Sequence, residues 1–268
     1  MKIAILCDTH CGIRNSSEVF LDNAEDFYTN IFFPECQKQG ITQILHLGDY
    51  YDHRKFVNFK ALNQNRRVFL DQLRKNNMMM DIIPGNHDTY YKNTNELNSL
   101  KECLGHYMNE IHIVMEPTVM QYGSLSMGLL PWICADNYDQ SMNFIRDCKA
   151  DWLGAHLELS NFEIGRGIMA HSGMDPKLFQ KFEQVLSGHY HTASRRDNIW
   201  YLGNPMEFFW SDAHDPKYFH ILDTETRQIE KIKNTYTLFE KIVYNDKEMD
   251  YNNNSYCNRF RFRISYSR

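Results

Sequence analysis

The sequence predicts an α/β fold in which buried strands alternate with amphipathic helices. Residues 3–7 form a continuous apolar run, as expected of a strand that is covered on both faces. Similar runs end at Leu47 and Ile83, and this interval of about forty residues suits a βαβ crossover. Apolar residues at helical spacing fill each interval, which favours a parallel sheet.

The elements can be placed in chain order from this periodicity. The first helix is predicted over 16–39, where Phe20 and Phe27 share a face and Gly40 suits a C-terminal cap. The second helix is predicted over 58–75. Further helices are expected near 95–108 and 137–149, and further strands near 111–115, 125–130 and 151–156.

Beyond His191 the pattern changes to short consecutive strands. We expect them at 199–202, 217–223, 228–233 and 238–244, as an antiparallel portion that closes a second sheet. Residues 245–258 are polar and rich in Asn, which suits a linker, and 259–264 alternates as one more strand. We therefore predict one domain at 1–244 and, at 245–268, a linker and the start of a truncated second domain.

The composition excludes several classes of protein. With 43% hydrophobic and 14% aromatic residues, the chain has enough apolar material for a packed core. A net charge of −5 argues against a uniformly basic nucleic-acid binder, although bound divalent ions could supply a nuclease with positive field. Seven cysteines without a Cys-x-x-Cys pair favour a reducing compartment. Neither a signal-peptide layout nor an apolar stretch of ~20 residues occurs, so we expect a soluble, cytoplasmic protein that does not contact membranes.

Residues of metal-ligand type stand where the predicted strands end, and they are the strongest functional signal in the chain. They are Asp8, His10, Asp49, Asn86, His156, His189 and His191. In a sheet of βαβ units, ligands collect outside the carboxyl ends of the strands. Imidazole, carboxylate and amide groups suit Mn²⁺, Fe²⁺ or Zn²⁺ better than Ca²⁺. Seven groups are too many for one ion, so we predict two ions ~3.5–4 Å apart that share Asp49 and clamp a phosphoryl group.

Each cluster taken alone also has a structural interpretation. Asp8 could be a turn residue and His10 a surface histidine, and Asn86 could cap a helix. His189 and His191 lie two positions apart and so face the same side of a strand, which favours chelation. Because five clusters would have to be structural together, we prefer the metal site.

Four motifs follow one another in a recognisable order. They are Asp-x-His at 8–10, Gly-Asp-x-x-Asp at 48–52, Gly-Asn-His-Asp at 85–88 and Gly-His-x-His at 188–191. In this order they resemble the calcineurin-like metallophosphoesterase family. This resemblance implies a four-layer αββα sandwich of two mixed sheets, followed by a C-terminal capping domain that would start within 245–268.

A narrower resemblance covers most of the chain, about residues 1–244. Segments 155–159, 187–192 and 201–205 are similar to the SbcD-type recombination nucleases, especially their T-even-phage form. That branch implies a Mn²⁺-dependent DNA nuclease of double-strand-break repair and recombination, with Mg²⁺, Fe²⁺ or Zn²⁺ as alternative metals. It further implies 3′ to 5′ exonuclease and single-strand or hairpin endonuclease action, a homodimer, and an SbcC-type ATPase partner.

The resemblance implies a role for each candidate ligand. One metal would be held by Asp8, His10, Asp49 and His191, and the other by Asp49, Asn86, His156 and His189. His156 competes with His171, which also ends an apolar run. We prefer His156 because its strand precedes the Gly-rich excursion at 165–167, as the order of motifs in the family implies.

Neighbouring residues are expected to assist the chemistry. His87 would stabilise or protonate the departing oxygen, and Asp88 would hold the His87 imidazole in the useful tautomer. The alternative is that Asp88 only caps a helix. Asp52 stands where cellular members of the family often have a histidine, so a direct catalytic use of the adjacent His53 is in doubt.

DNA is the expected substrate, and basic residues near the motifs could contact its phosphates. They are Arg14, Arg54, Lys55, Lys60, Arg66, Arg67, Lys92, Arg195 and Arg196. Two other functions stay open at this point. The chain could be a phosphoprotein phosphatase or nucleotide phosphodiesterase of the same superfamily, or a DNA-tethering module without useful catalysis.

Overall fold

A computed structural model describes residues 1–165 and 167–241. Its first sheet has six strands, which are β1 Lys2–Leu6, β2 Gln43–His46, β3 Met79–Ile82, β4 Ile111–Ile113, β13 Tyr218–Asp223 and β14 Gln228–Lys233. Their spatial order is β14-β13-β1-β2-β3-β4. Strands β1 to β4 are parallel, and β13 and β14 extend the sheet in antiparallel fashion.

The second sheet also has six strands, which are β5 Thr118–Tyr122, β6 Leu125–Leu130, β7 Trp152–His156, β10 Gln184–Gly188, β11 Ser194–Arg196 and β12 Ile199–Tyr201. Their spatial order is β11-β12-β10-β7-β6-β5. Its centre is parallel and its two edges are antiparallel. A separate hairpin joins β8 Glu163–Gly165 to β9 Ile168–Met169.

Helices cover the outer faces of the sheets. They are α1 Glu18–Phe27, α2 Phe33–Lys38, α3 Phe59–Asn65, α4 Asp71–Lys75, α5 Ser99–Leu104 and α6 Tyr138–Asp147. A π turn at Tyr28–Phe32 joins α1 to α2, and another at Arg66–Leu70 joins α3 to α4. Short 3₁₀ turns occur at Gly105–Tyr107, Pro176–Phe179 and Trp210–Asp212.

Strand β1 contributes side chains to two separate hydrophobic clusters. Its side chains alternate between the faces of the sheet, so Ile3 and Ile5 pack between the two sheets while Ala4 and Leu6 pack against the helices. All four are buried, which explains the continuous apolar run. A third cluster, around Leu153, fills the outer face of the second sheet. The predicted sandwich of two mixed sheets is confirmed.

The C-terminal strands do not lie where the sequence analysis put them. Only 199–201 joins the second sheet, where it runs parallel to β10. Strand β13 pairs instead with β1 of the first sheet, with Ala4 opposite Ile221. The local sequence of β13 is compatible with pairing in either sheet, so it does not predict which sheet the strand joins. Residues 238–241 form no strand, and the expectations for 242–268 lie outside the described residues.

The first predicted helix is interrupted twice. A turn at Ile13–Ser16 precedes it, and there Arg14 and Asn15 have left-handed dihedral angles (φ 55° and 56°). Further along, the amide of Phe33 bonds to the carbonyl of Tyr28, five residues back, to form the π turn. Pro34 follows and has no N–H, so the regular hydrogen-bond ladder is broken at this point in any case. Apolar periodicity alone cannot reveal either interruption.

Two further observations concern the chain as a whole. Six cysteines in the described segments, Cys7, Cys11, Cys36, Cys103, Cys134 and Cys148, are free thiols. Within residues 1–165 and 167–241, no helix combines the length and the apolar character that a membrane span requires.

Candidate metal centre

The candidate centre lies where the carboxyl ends of parallel strands from both sheets converge. The first sheet contributes the loops after β1, β2 and β3, and the second contributes the end of β7 and the loop after β10. These five positions carry all seven candidate ligands. The structure therefore brings the predicted array together at one edge of the sandwich, as the rule for parallel strands requires.

The first group of donors combines Asp8, His10 and His191, whose ligand atoms lie within 4.8 Å of one another. Nε2 of His10 is 3.0 Å from Nε2 of His191. The Asp8 carboxylate accepts the backbone N–H of His189 at 2.9 Å, which ties the loop after β10 to the loop after β1. Residues more than 180 positions apart in the chain thus converge on one point.

Asp49 stands between the first group and the second. Its Oδ2 lies 3.7 Å from Nε2 of His10 and 3.4 Å from Nε2 of His156. Its Oδ1 accepts the backbone N–H of His87 at 2.7 Å. One carboxylate oxygen therefore faces donors on both sides, as expected of a ligand that is shared by two ions.

The second group combines Asp49, His156 and His189, again within 4.8 Å. Oδ1 of Asn86 lies among them, 2.8 Å from Nδ1 of His189 and 3.1 Å from Nε2 of His156. Nδ1 of His156 is 2.7 Å from the carbonyl of Leu47. Because a carbonyl only accepts, Nδ1 carries the proton and Nε2 is free to bind a metal, which is the usual arrangement behind a ligating histidine.

His156 and His171 differ in their positions relative to the other candidate ligands. His156 is fully buried and lies against Asp49 and Asn86. His171 is exposed, and it belongs to none of the donor groups found among the described residues.

The expected role of Asp88 is wrong. Its carboxylate accepts the backbone N–H groups of Gly85, Tyr50 and Tyr51 at 2.9, 3.0 and 3.0 Å. Nδ1 of His87 is 2.6 Å from the carbonyl of Asp52 instead, so that carbonyl orients the imidazole. Asp88 neither orients His87 nor caps a helix. It ties the loop that carries Asp49 to the loop that carries Asn86 and His87.

Burial and neighbouring charges raise the pKa of one side chain in the centre and lower the pKa values of two others. Burial alone would lower the pKa of His156, but the nearby Asp49 carboxylate outweighs it and raises that pKa to about 9. Burial and the positive charge of His156 lower the pKa of His189 to about 3. Burial would raise the pKa of Asp49, yet His156 and His10 hold it well below its usual range. Without a metal, a proton on His156 thus compensates the buried carboxylate, and a metal would have to displace that proton.

The backbone around the centre is tightly constrained. Asp8, His10, Asp49 and His189 all have positive φ angles, of 51°, 43°, 54° and 91°. Such strained conformations persist where the surrounding structure over-determines them, and they concentrate at functional sites.

The donor set fits divalent transition metals. The Nε2 atoms of His10 and His191 lie 3.0 Å apart, and Oδ2 of Asp49 lies 3.7 Å from His10 and 3.4 Å from His156. Grouped donors of this kind are costly to bury unless a cation or a proton compensates them. A mixed N/O set is the type that Mn²⁺, Fe²⁺ and Zn²⁺ accept. The structure thus contains His/Asp clusters that could hold metal ions.

Three residues near the centre were not assigned there by the sequence analysis. Oδ1 of Asp52 lies 3.3 Å from Nδ1 of His10. The Trp132 ring packs against His189 with a centroid distance of 5.3 Å, and the Phe209 ring stacks on His191 at 5.9 Å. Trp132 could have been found, because it follows β6, the neighbour of β7. Phe209 is 38% exposed and carries no motif that could have indicated it.

Most of the basic residues proposed to contact DNA lie at the surface, and several already have partners. Lys60 pairs with Glu18, and Arg67 pairs with Glu25. Arg14 and Lys55 lie over the aromatic rings of Phe209 and Tyr90.

The fold and the centre together define a metallophosphoesterase. Residues 1–193 match the family described as Calcineurin-like phosphoesterase, and this chain belongs to that family.

Among curated proteins, the chain is similar to Exonuclease subunit 1 of Enterobacteria phage T4. The two are 31% identical over 252 residues, which cover 94% of this chain and 73% of that protein. Among solved structures, it is similar to GAP50, described as the anchor in the inner membrane complex of Plasmodium. That likeness has a TM-score of 0.50 at 13% identity and covers 88% of this chain and 90% of the other. At so low an identity it bears on the fold alone.

Proposed function

We propose that this phosphoesterase is a two-metal DNA nuclease. The observation that carries the two-metal part is the position of Asp49, whose Oδ2 faces His10 at 3.7 Å and His156 at 3.4 Å. The choice of DNA as substrate is supported by the relative from phage T4, which is named as an exonuclease subunit.

The two ions would be held by overlapping sets of ligands. The first set is Asp8, His10, Asp49 and His191, and the second is Asp49, Asn86, His156 and His189. We propose Mn²⁺ as the metal, as the resemblance implies, and the mixed nitrogen and oxygen donors are of a type that accepts it. When bound, such ions supply Lewis-acid chemistry, which polarises the phosphoryl group and lowers the pKa of water.

His87 would act on the leaving oxygen. Since the Asp52 carbonyl is 2.6 Å from Nδ1, that nitrogen carries a proton and Nε2 is the atom that exchanges one. The ring meets the His10 ring edge-on, with a centroid distance of 4.8 Å. His87 therefore lies beside the first donor group, close enough to reach a phosphate that is bound there.

The surface around Phe59 supports a homodimer. Phe59 is 87% exposed and Phe56 is 60% exposed, and with Leu97 they line a groove of about 290 Å³. Clusters of exposed apolar side chains are typical of interaction sites on soluble proteins. We expect wild type to sediment as a dimer and Phe59→Glu to sediment as a monomer; a monomeric wild type would contradict this proposal.

The wider biology follows from the resemblance. We propose 3′ to 5′ exonuclease and single-strand endonuclease action in double-strand-break repair and recombination, an SbcC-type ATPase partner, and a cytoplasmic location that suits the free thiols.

Metal-dependent digestion of DNA tests the function. Purified protein is incubated with end-labelled duplex and single-stranded oligonucleotides in Mn²⁺, Mg²⁺ or EDTA, and with phosphoproteins and cyclic nucleotides in parallel. We expect nucleotides to be released from DNA faster in Mn²⁺ than in Mg²⁺, and not in EDTA. Hydrolysis of phosphoproteins or cyclic nucleotides without DNA cleavage would instead indicate another phosphoesterase.

Variants of two histidines separate catalysis from tethering. His87→Ala should retain DNA binding and lose cleavage, whereas His171→Ala, which changes an exposed histidine outside the centre, should retain both. If wild type binds DNA but degrades none in any metal, the chain is a tethering module and the proposed enzymatic function is wrong.

A further inference from the structure

Arg14 is held at the His191 edge of the candidate centre. Its Nε–H donates to the carbonyl of Phe208 at 3.0 Å, and its guanidinium carbon lies 4.6 Å from the centre of the Phe209 ring. The same ring stacks on the imidazole of His191. One aromatic ring therefore connects the guanidinium to a candidate metal ligand, and the side chain is exposed there.

The turn that carries Arg14 has an unusual backbone. Arg14, Asn15 and Ser16 have φ angles of 55°, 56° and 58°, so three successive residues with side chains adopt the left-handed conformation. This conformation is unfavourable for residues with a Cβ atom. The contacts of Arg14 with Phe208 and Phe209 help to hold this turn in place, and strain of this kind concentrates at functional sites.

Phe208 and Phe209 form a platform under Arg14, and polar contacts hold this platform in place. The Asp212 carboxylate accepts the N–H groups of Phe208 and Phe209 at 2.7 and 2.9 Å. Lys217 is buried, pairs with Asp212 at 3.3 Å, and donates to the carbonyl of His191 at 3.2 Å. Phe209 and His191 are thus tied to the same ammonium group, which keeps the platform in register with the centre.

An open cavity of about 430 Å³ adjoins this platform. Its walls include His189 and His191 from the centre, Phe209, and Ile164 of the β8–β9 hairpin. The volume lies within the range of ~300–1,000 Å³ that is typical of ligand pockets. Its three acidic residues all have partners: Asp212 and Asp215 pair with Lys217 at 3.3 and 2.9 Å, and Glu163 accepts the N–H of Gly167.

We propose that Arg14 binds a phosphate of the substrate strand next to the phosphate that is cleaved. Because a guanidinium presents a planar fork of donors, and Nε and the ring hold it in one orientation, its terminal N–H groups can form paired bonds to phosphate oxygens. This contact would make the centre select a polynucleotide over a small phosphodiester. The inference deepens the proposed nuclease function and rests on it.

Two substrates distinguish this role from a structural one. A short single-stranded oligonucleotide has neighbouring phosphates, whereas bis(p-nitrophenyl) phosphate has only the phosphate that is cleaved. For Arg14→Ala we expect kcat/KM to fall about tenfold or more on the oligonucleotide, as for a lost charge-assisted contact, and less than about threefold on the small diester. Equal losses on both substrates, or none, would overturn the proposal.

Arg74 provides a matched control. Its guanidinium carbon lies 5.2 Å from the Tyr107 ring and Nη2 donates to a backbone carbonyl, so the local geometry resembles that of Arg14. It adjoins Glu110, which precedes β4, at the opposite end of the sheet from the centre. Arg74→Ala should leave both substrates unaffected, and Arg14→Lys should recover only part of the oligonucleotide activity.

Binding without cleavage provides an independent measurement. In EDTA, the affinity for a fluorescent oligonucleotide is measured by anisotropy at several salt concentrations. Loss of one phosphate contact should reduce the slope of log K against log[salt] by about 0.7 for a single strand in Arg14→Ala, and not in Arg74→Ala. If wild type hydrolyses the small diester but not DNA, the proposed nuclease function is wrong. The slopes of log K against log[salt] would still show whether Arg14 contacts a phosphate. Identical slopes, or no binding by wild type, overturn that role.

Discussion

A single methyl group at position 85 should disable the centre. A Cβ at Gly85 would lie 2.2 Å from Oδ1 and 2.4 Å from the backbone nitrogen of Asp49, whereas ordinary contact begins at 3.4 Å. The overlap with Oδ1 is therefore about 1.2 Å. Part of it involves backbone and cannot be relieved by a rotation of the Asp49 side chain. Gly85→Ala must push apart the loops that carry Asp49 and Asn86.

The expected consequences can be given magnitudes. Overpacking of this kind costs roughly 1–3 kcal/mol of unfolding free energy. A displacement of about 1 Å at a catalytic group can reduce the rate by about 100-fold. We therefore expect Gly85→Ala to fold, with lower stability, and to lose at least about two orders of magnitude in metal-dependent hydrolysis of bis(p-nitrophenyl) phosphate. Titration calorimetry with Mn²⁺ should show weakened binding.

Gly105→Ala is the matched control, because a Cβ there meets nothing within 4 Å and its φ of −56° suits any residue. It should leave activity unchanged and stabilise the fold slightly, by about 0.4–1 kcal/mol. If Gly85→Ala binds Mn²⁺ and turns over within about twofold of Gly105→Ala, the close approach of Gly85 to Asp49 does not matter and the reasoning is refuted.

Three further predictions concern single side chains. Tyr122→Phe removes a 2.7 Å hydrogen bond to buried Asp81 that links the two sheets, so the midpoint of urea denaturation should fall by an amount worth roughly 1–3 kcal/mol. Burial lowers the pKa of His220 from 6.5 to about 3, so between these values only the unfolded chain binds this proton and stability falls as the pH decreases. When the pH is lowered from 7 to 5, the free energy of unfolding of His220→Leu should therefore fall by about 2 kcal/mol less than that of wild type. His156→Ala should bind Mn²⁺ more weakly than His171→Ala, as measured by calorimetry.

Each of these has an outcome that contradicts it. An unchanged denaturation midpoint for Tyr122→Phe would mean that the Asp81 bond contributes nothing to stability. Parallel pH profiles for wild type and His220→Leu would show that the imidazole titrates normally in the folded state. Equal Mn²⁺ affinities for the two histidine variants would remove His156 from the ligand set.

The parallel part of the fold was predictable because its strands are mostly apolar and apolar residues at helical spacing lie between them. Residues 3–7 illustrate this, since both faces of β1 are covered and every residue of the run contributes to a core. The position of β13 was not predictable in this way. Its pairing with β1 joins residues more than 200 positions apart, and local periodicity carries no information about that choice.

The candidate ligands could be located because parallel strands must end at one edge of a sheet. That rule placed Asp8, Asp49 and Asn86 together without any knowledge of distances. It did not place the partner of His87. The Asp52 carbonyl that orients His87 is a backbone group, which no side-chain motif can indicate.

Taken by itself, the sequence determined the class of fold, the seven candidate ligands and the edge at which they would meet, because these depend on short-range patterns and on strand direction. The tertiary structure decided which of His156 and His171 faces Asp49, what Asp88 ties together, and that Arg14 and Phe209 border the centre. Those facts arise from contacts between loops that are distant in the chain, whose conformations are set by packing and backbone hydrogen bonds.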